Sequence, residues 1–460
     1  MSAPSSLPFS PNTVARLSLD DALASARETK VLKLGRDQLA SAPAVFREQF
    51  PGRNAWIISD TVVHPIAGQT VQDLFVAEGL TALPPFLFSC PEVYAEHAFV
   101  EQLESALKLH DAVPVAVGSG TINDIVKLAA HRLHRPYLCV ATAASMDGYT
   151  AFGASITFRG AKQTFQCPAP AAVVADIDIV RRAPPEMTGA GYADLLAKVT
   201  AGADWIVADS LGQDKIDPRA WAIVQGGLKQ ALADPEGARH GQPEAIFALT
   251  EGLMLGGFAM QWSKSSRPAS GAEHQFSHLW DMEHHVHGGT APSHGFKVGL
   301  ATLAVTALYE ELLKEPLEHL DEADCCRAWL TPEEAELEVR RCFAGSDFVE
   351  TAVLETRAKQ CSREELAREL QILRGAWPDL SRRLKEQLFP LADLRDRLRR
   401  VGAPTHPTEI GLTPERVRQS FRRAYHIRRR FTVLDLAVRT QTLEPCLDRI
   451  FGPGGLWSSS

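Results

Sequence analysis

Histidines gather in one short stretch of this sequence, and their spacing suits a metal ion. The chain has 15 histidines, and six of them lie between residues 274 and 294. His278 follows His274 by four positions, which places both side chains on one face of a helix. His294 follows Ser293, a residue type that caps the start of helices. Because imidazole nitrogens are common metal ligands, this stretch is a candidate metal site.

A carboxylate could complete this set of ligands. Asp194 is the one acid in residues 191–198, which are otherwise largely apolar. A carboxylate in apolar surroundings is costly unless a cation is its partner. Two imidazoles and one carboxylate leave an open position on a divalent ion, which can then polarise a substrate oxygen. The alternative is that these are ordinary buried residues, and for His284, His285 and His287 a polar loop is the favoured interpretation.

A glycine turn marks a second candidate site. The apolar run at residues 113–117 ends at Gly118, Gly120 follows, and a helix-like segment begins soon after. Glycines let the backbone approach a ligand closely, and the N–H groups that begin a helix attract anions. The turn therefore suits a pyrophosphate. A tight turn without a ligand is the alternative, because the segment matches neither a Walker A loop nor GxGxxG.

Polar residues also follow two other strand-like runs. Asp60 ends one run and could accept hydrogen bonds from a ribose diol. Thr142, Ser145 and Asp147 follow another run, and ligands of open α/β sheets bind beyond the carboxyl ends of the strands. These residues therefore lie where a cofactor or substrate would bind, although each is also an ordinary capping or turn residue.

The elements that must position these residues change in character along the chain. Short apolar runs alternate with helix-length segments in the first 180 residues, and they lie at 30–34, 55–58, 86–88, 113–117, 137–141 and 171–175. This pattern predicts a parallel sheet with helices on both faces, and residues 155–165 suggest a hairpin. Helical periodicity follows Pro184-Pro185. We therefore predict an α/β domain over residues 1–183 and an all-α domain over residues 184–460.

Composition excludes several classes of protein. The net charge of −8, from 48 Lys+Arg against 56 Asp+Glu, argues against a general nucleic-acid binder. The eight cysteines are scattered and include no CxxC pair, so no zinc knuckle is expected. A disulfide framework is not expected either, because a chain of this length can bury a proper core. Residues 1–16 lack a signal-peptide pattern, and no apolar run is long enough to span a membrane. We predict a reduced, cytoplasmic protein.

Five segments, taken together and in this order, resemble the superfamily of iron-containing alcohol dehydrogenases, glycerol dehydrogenases and dehydroquinate synthases. They are residues 118–124, 145–149, 191–194, 274–278 and 293–295. Within the superfamily the chain is most similar to the glycerol-1-phosphate dehydrogenases, from about residue 30 to about residue 310 and again in segments between residues 403 and 434. The resemblance implies a Rossmann-like domain that binds NAD or NADP, followed by a helical metal domain of the dehydroquinate synthase-like fold.

The resemblance also implies a role for each site residue. Asp194, His274 and His294 would bind one divalent ion, which is zinc, nickel or iron in the family. Asp147 and His278 would be the catalytic residues beside the substrate. The residues implied for the dinucleotide are Asp60, Gly118, Gly120, Thr121, Ile122, Asn123, Asp124, Thr142 and Ser145.

The implied reaction is the reversible NAD(P)H-linked reduction of dihydroxyacetone phosphate to sn-glycerol 1-phosphate by a homodimer or higher homo-oligomer. The alternatives are a dehydrogenase of another polyol or sugar phosphate, a cyclase like dehydroquinate synthase, and a binding module without activity. Two features depart from the family pattern: Ala151 replaces a frequent serine, and residues 317–400 are longer than expected. From position alone, Lys162, Lys264 and Arg267 are candidate partners of a substrate phosphate.

Overall fold

The computed structural model describes residues 16–89, 93–158 and 161–457. Residues 1–15, which include most of the segment assessed as a possible signal peptide, lie outside the described residues. So do Cys90, residues 159 and 160 of the predicted hairpin, and the side chain of Lys162.

Six parallel strands form the sheet of the N-terminal half, in the spatial order β1-β8-β5-β4-β2-β3. The strands of the chain are β1 (Val31–Gly35), β2 (Ala55–Asp60), β3 (Phe86–Phe88), β4 (Val113–Gly118), β5 (Leu138–Ala141), β6 (Ala154–Phe158), β7 (Ala161–Phe165) and β8 (Ala172–Asp176). The predicted parallel sheet is confirmed. Strands β6 and β7 pair antiparallel, as expected for the hairpin.

Helices cover both faces of this sheet. They are α1 (Leu19–Ser25), α2 (Ala42–Gln49), α3 (Gln69–Ala77), α4 (His97–Leu107), α5 (Gly120–Arg132) and α6 (Ile177–Val180). Alternate residues of β2 face opposite layers, since Ile57 belongs to the cluster with α2 and α3, and Ile58 to the cluster with α4 and α5. Burial on both faces explains why the central strands are continuous apolar runs.

The second half is helical, as predicted. Its helices are α7 (Pro185–Leu196), α8 (Lys198–Ser210), α9 (Pro218–Gln225), α10 (Leu228–Ala231), α11 (Pro235–Arg239), α12 (Pro243–Ser263), α13 (Ala272–Met282), α14 (His294–Leu312), α15 (Glu322–Ala328), α16 (Pro332–Cys342), α17 (Val349–Arg357), α18 (Arg363–Gln387), α19 (Leu391–Val401), α20 (Pro414–His426), α21 (Val433–Arg439) and α22 (Leu443–Phe451). Among the described residues, no helix combines the length and apolar content needed to cross a bilayer.

Helix α18 accounts for much of the long stretch at residues 317–400. It spans 25 residues, and its buried side chains recur every three or four positions, as in Leu366, Leu370, Leu373 and Leu380. This apolar stripe packs against α8, and most of the charged residues between face solvent, although Glu369 and Arg383 are buried. Most of the charges of this helix therefore form a solvated face.

Two glycines allow α7 to approach its neighbours closely. A Cβ atom on Gly191 would lie 1.9 Å from the carbonyl oxygen of Ala144, in the loop after β5. A Cβ atom on Gly295 would lie 1.9 Å from the carbonyl oxygen of Ala190, on α7. Glycine at these two positions therefore brings the loop after β5, α7 and the start of α14 together.

We expect Gly295→Ala to destabilise the protein by about 1–3 kcal/mol, because either α7 or α14 must shift to admit the methyl group. The free energy of unfolding, from urea denaturation, measures this effect. Gly375→Ala is the control, since Gly375 is exposed within α18 and a Cβ atom there meets nothing within 4 Å. An unchanged unfolding midpoint for Gly295→Ala would contradict the close contact.

Candidate metal centre and nucleotide edge

Three helices bring the three predicted metal ligands together. Asp194 lies on α7, His274 on α13, and His294 is the first residue of α14. One ligand atom from each residue lies within 4.8 Å of the others. The Nε2 atom of His274 is 3.6 Å from Oδ1 of Asp194, and the rings of His274 and His294 are 5.3 Å apart between centroids. Residues 80 and 20 positions apart in the chain thus converge on one point.

Local sequence explains how the histidines are placed. The Ser293 hydroxyl accepts a hydrogen bond from the Phe296 N–H, which caps α14 as predicted and puts His294 at its first position. His278 lies one turn after His274 on α13. Its ring centroid is 6.4 Å from that of His274 and 6.3 Å from that of His294. His278 therefore borders the ligand set on the same helix face.

Glu273 is a functional residue that the sequence analysis missed. Its Oε1 atom is 2.8 Å from Nδ1 of His274, and it also accepts a hydrogen bond from the Gly271 N–H. Its Oε2 atom accepts one from the Thr200 hydroxyl at 2.9 Å. A carboxylate on one ring nitrogen fixes the orientation of the ring and leaves the other nitrogen to face a metal. Glu273 therefore holds His274 in position toward Asp194.

Lys198 is a second residue whose role the sequence did not reveal. Its side chain is fully buried, and Nζ is 2.7 Å from Oδ1 of Asp194 and 2.7 Å from Oδ2 of Asp147. Burial raises the pKa of Asp147, as does the neighbouring Asp194 carboxylate. Burial also disfavours ionised Asp194, but Lys198 and His274 outweigh it and lower the pKa of that carboxyl. The lysine thus joins the predicted substrate residue to a predicted metal ligand.

Buried Asp204 is the centre of a hydrogen-bond network at the start of α13. Oδ1 of Asp204 accepts hydrogen bonds from the Tyr309 hydroxyl at 2.6 Å and the Val433 N–H at 2.8 Å, and Oδ2 accepts one from the Ala272 N–H at 2.7 Å. Burial, with the nearby Glu273 carboxylate, raises the pKa of Asp204 to about 7. This network fixes the start of α13 and hence His274.

The predicted nucleotide residues share one edge of the sheet. Strands β2, β4 and β5 are neighbours, so Asp60, Gly118 and Thr142 lie at adjacent carboxyl ends. The Thr142 N–H donates to the Gly118 carbonyl at 3.1 Å, which draws the two ends together. Helix α5 begins at Gly120, and the side chain of Ser119, its N-cap residue, makes no capping hydrogen bond within the described residues. The first N–H groups of α5 can therefore serve an anion.

Within this segment, several side chains are used by the protein itself. Asn123 Oδ1 accepts a hydrogen bond from the Tyr137 hydroxyl at 3.0 Å, and Asp124 Oδ2 accepts one from the Ser155 N–H at 3.0 Å. Ile122 is buried in the core. The side chains of these three residues are therefore engaged within the protein.

The other predicted cofactor residues are more accessible. Asp60 Oδ1 accepts hydrogen bonds from the N–H groups of Val62 and Val63, at 2.8 and 2.7 Å, so this carboxylate caps the turn after β2. Thr121 and Ser145 are half-buried at the same edge. The second oxygen of Asp60 makes no hydrogen bond within the described part of the chain, so it could still accept one from a ribose.

A buried lysine shapes the loop that carries Asp147. Lys127 Nζ donates to the carbonyl oxygens of Gly148, Ala151 and Gly153, at 2.9, 3.0 and 3.0 Å. Ala151, where relatives often have serine, is itself buried. Its contribution to this arrangement is therefore its backbone carbonyl.

Arg267 and Lys264, two candidate partners of a substrate phosphate, differ in their exposure to solvent. Arg267 is buried and donates to the carbonyl oxygens of Phe431 and Asp204, and its Nε is 3.1 Å from an Asp214 oxygen. This arginine therefore ties together parts of the helical half. Lys264 is exposed in the left-handed region at the end of α12.

Comparisons with known proteins identify the family to which this fold belongs. A model of the iron-containing alcohol dehydrogenase family matches residues 33–184. A glycerol-1-phosphate dehydrogenase [NAD(P)+] from Halalkalibacterium halodurans is 34% identical over 294 residues, which cover 63% of this chain and 73% of that one. The protein of the same name from Bacillus subtilis is 30% identical over 392 residues, 84% of this chain and 86% of that one.

Among solved structures, a probable glycerol dehydrogenase from Sinorhizobium meliloti has the same fold. Its TM-score is 0.57 at 16% identity, and the match covers 91% of this chain and 97% of that one. The sequence matches extend over most of each relative's length. The chain therefore belongs to the iron-containing alcohol dehydrogenases, a family of NAD(P)-dependent oxidoreductases, and within it to the glycerol-1-phosphate dehydrogenases.

Proposed function

We propose that this protein reversibly reduces dihydroxyacetone phosphate to sn-glycerol 1-phosphate with NADH or NADPH. The observation that carries the proposal is the convergence of Asp194, His274 and His294, from three helices, beside the loop that contains Asp147. The names of the curated relatives support the substrate. The domain division at residues 183 and 184 is part of the proposal, and the start of α7 at Pro185 supports it.

The three ligands fit a divalent ion. Two imidazole nitrogens and one carboxylate oxygen suit zinc, nickel or iron, and Glu273 holds the second ring nitrogen of His274. An ion bound there would supply a Lewis acid to the substrate oxygen. Lys198 already places one positive charge against Asp194, and this supports the view that the buried carboxylate is ionised.

The dinucleotide would bind along the carboxyl edge of the sheet. The N–H groups at the start of α5 would bind its pyrophosphate, with Gly118 and Gly120 allowing close approach. Asp60 would accept hydrogen bonds from a ribose, and Thr142 and Ser145 would border the cofactor. The nicotinamide supplies the hydride, and the protein aligns it with the substrate carbonyl.

Asp147 and His278 would complete the substrate site. The Asp147 N–H donates to Oδ2 of Asp194 at 3.2 Å, so the substrate aspartate and a metal ligand are held as one unit. His278 borders the ligand set and would pass a proton to the new alcohol, because histidine changes protonation near neutral pH.

We expect His278→Ala to lower kcat by about 10²-fold or more, since positioned acid–base groups typically contribute that much. The metal content should remain that of the wild type, because His278 is not among the three ligands. Steady-state rates across the pH range, with metal analysis of the same samples, check both points. Unchanged turnover at every pH would remove His278 from the mechanism.

The substrate itself is tested by comparing phosphorylated and unphosphorylated ketones. The metal-loaded enzyme should oxidise NADH or NADPH with dihydroxyacetone phosphate far faster than with dihydroxyacetone, and the product should be the sn-1 isomer. Faster turnover of another polyol or sugar phosphate would change the substrate. A cyclase would return its cofactor unchanged, with no net loss of reduced nicotinamide.

The cellular location and the oligomeric state of the protein are predictions. We propose a cytoplasmic protein, supported by seven described cysteines that are all free thiols. We also propose a homodimer or higher homo-oligomer, as expected for the family. Light scattering on the purified chain measures the assembly directly.

A further inference from the structure

A second group of metal-ligating side chains lies in the helical half and shares no residue with the site described above. Glu338 and Cys342 are one turn apart on α16, and His426 ends α20. One ligand atom from each lies within 4.8 Å of the other two. Helix α16 belongs to the long stretch at residues 317–400, whereas α20 belongs to the segment that follows it.

We propose that Glu338, Cys342 and His426 form a second divalent-metal site, suited to zinc, that links α16 to α20. A thiolate, an imidazole and a carboxylate are the three ligand types that zinc takes from proteins. The sulfur ligand favours zinc over magnesium or calcium, which prefer oxygen alone. Three protein ligands leave a fourth position for water.

The surroundings of His426 hold its ring in one orientation. The ring is buried, and Nδ1 is 3.0 Å from the hydroxyl oxygen of Thr356. That hydroxyl donates to the Ala352 carbonyl at 2.8 Å, so it accepts from the ring and places the proton on Nδ1. Nε2 then keeps the lone pair that a metal needs.

The other two ligands are available. Side chains close by on α16 are occupied, since Arg340 pairs with Glu336 and Glu350. By contrast, Glu338 and Cys342 have no hydrogen bond or ion pair from their side chains among the described residues. A divalent cation between them would bind the Cys342 sulfur as a thiolate, with the thiol proton released to solvent, and would pair with the Glu338 carboxylate.

Cobalt tests the proposal, because only the second site contains sulfur. A thiolate bound to Co²⁺ gives a charge-transfer band in the near ultraviolet, whereas the ligand set Asp194, His274 and His294 cannot. We expect the band in the Co²⁺-loaded full chain and equally in the His274→Ala variant. It should disappear in Cys342→Ser and persist in Cys326→Ser, a control for a partly exposed cysteine on α15.

Metal counting gives an independent measure. After equilibration with Zn²⁺ and removal of the free ion, the wild type should hold two ions per chain, and Cys342→Ser and His274→Ala one each. Glu338→Gln, which cannot disturb the core, should weaken binding at the second site only. Absence of the band in the wild type, or its survival in Cys342→Ser, would overturn the proposal. Neither result would bear on the dehydrogenase activity.

Discussion

His274→Ala should reduce kcat/KM for dihydroxyacetone phosphate by about 10³-fold or more, because loss of metal-ion catalysis removes several kcal/mol of transition-state stabilisation. His274 is buried, its Nδ1 atom is held by Glu273, and its Nε2 atom lies 3.6 Å from Asp194. The alanine variant loses one of the three ligands, so it should bind the ion more weakly and hold it in a less defined position.

The measurement pairs initial rates with the metal content of the same preparation. His240→Ala is the matched control, since His240 is exposed just after α11 and lies outside both metal-ligating groups. The control should keep full activity and a full complement of metal. A His274→Ala enzyme that turned over at the wild-type rate without metal would show that the chemistry does not use this site.

Much of the fold could be predicted because burial leaves a local signature. Strands β4 and β8 are buried on both faces, and their sequences are continuous apolar runs. The helical spacing of His274 and His278 likewise predicted a shared face, and Ser293 predicted the start of α14. In each case the physical cause acts within a few residues, so sequence alone records it.

What could not be predicted depends on contacts between distant segments. Glu273 and Lys198 are ordinary helix residues in the sequence, and only the packing of α7, α8 and α13 shows what their side chains touch. The same packing buries Arg267, whose guanidinium donates to two backbone carbonyls. Its position in the sequence had suggested a partner for a substrate phosphate instead. Asn123 has its side chain turned to Tyr137 for the same reason. The charge of a side chain is known from its residue type, whereas the residue that pairs with that charge depends on how the helices pack.

Lys198 offers the sharpest test of this electrostatics, because it pairs both with Asp194, four positions earlier in the chain, and with Asp147 on a distant loop. We expect Lys198→Met to lower the free energy of unfolding of the metal-free protein by about 3–5 kcal/mol, because removing one member of a buried ion pair leaves its partners uncompensated. Here the partners are Asp147 and Asp194, and the pKa of Lys198 is raised because both carboxylates outweigh the cost of its burial. Urea denaturation of the metal-free variants measures the loss, with exposed Lys385→Met as control.

Two further measurements separate this electrostatic effect from poor packing of the methionine. Adding Asp147→Asn to Lys198→Met should recover part of the loss, because it removes one of the two stranded carboxylates; a double-mutant cycle gives the coupling. Divalent metal should also recover more stability in Lys198→Met than in the wild type, since the ion then supplies the charge that Asp194 lacks. If neither change restored stability, the lysine would be filling space rather than balancing charge.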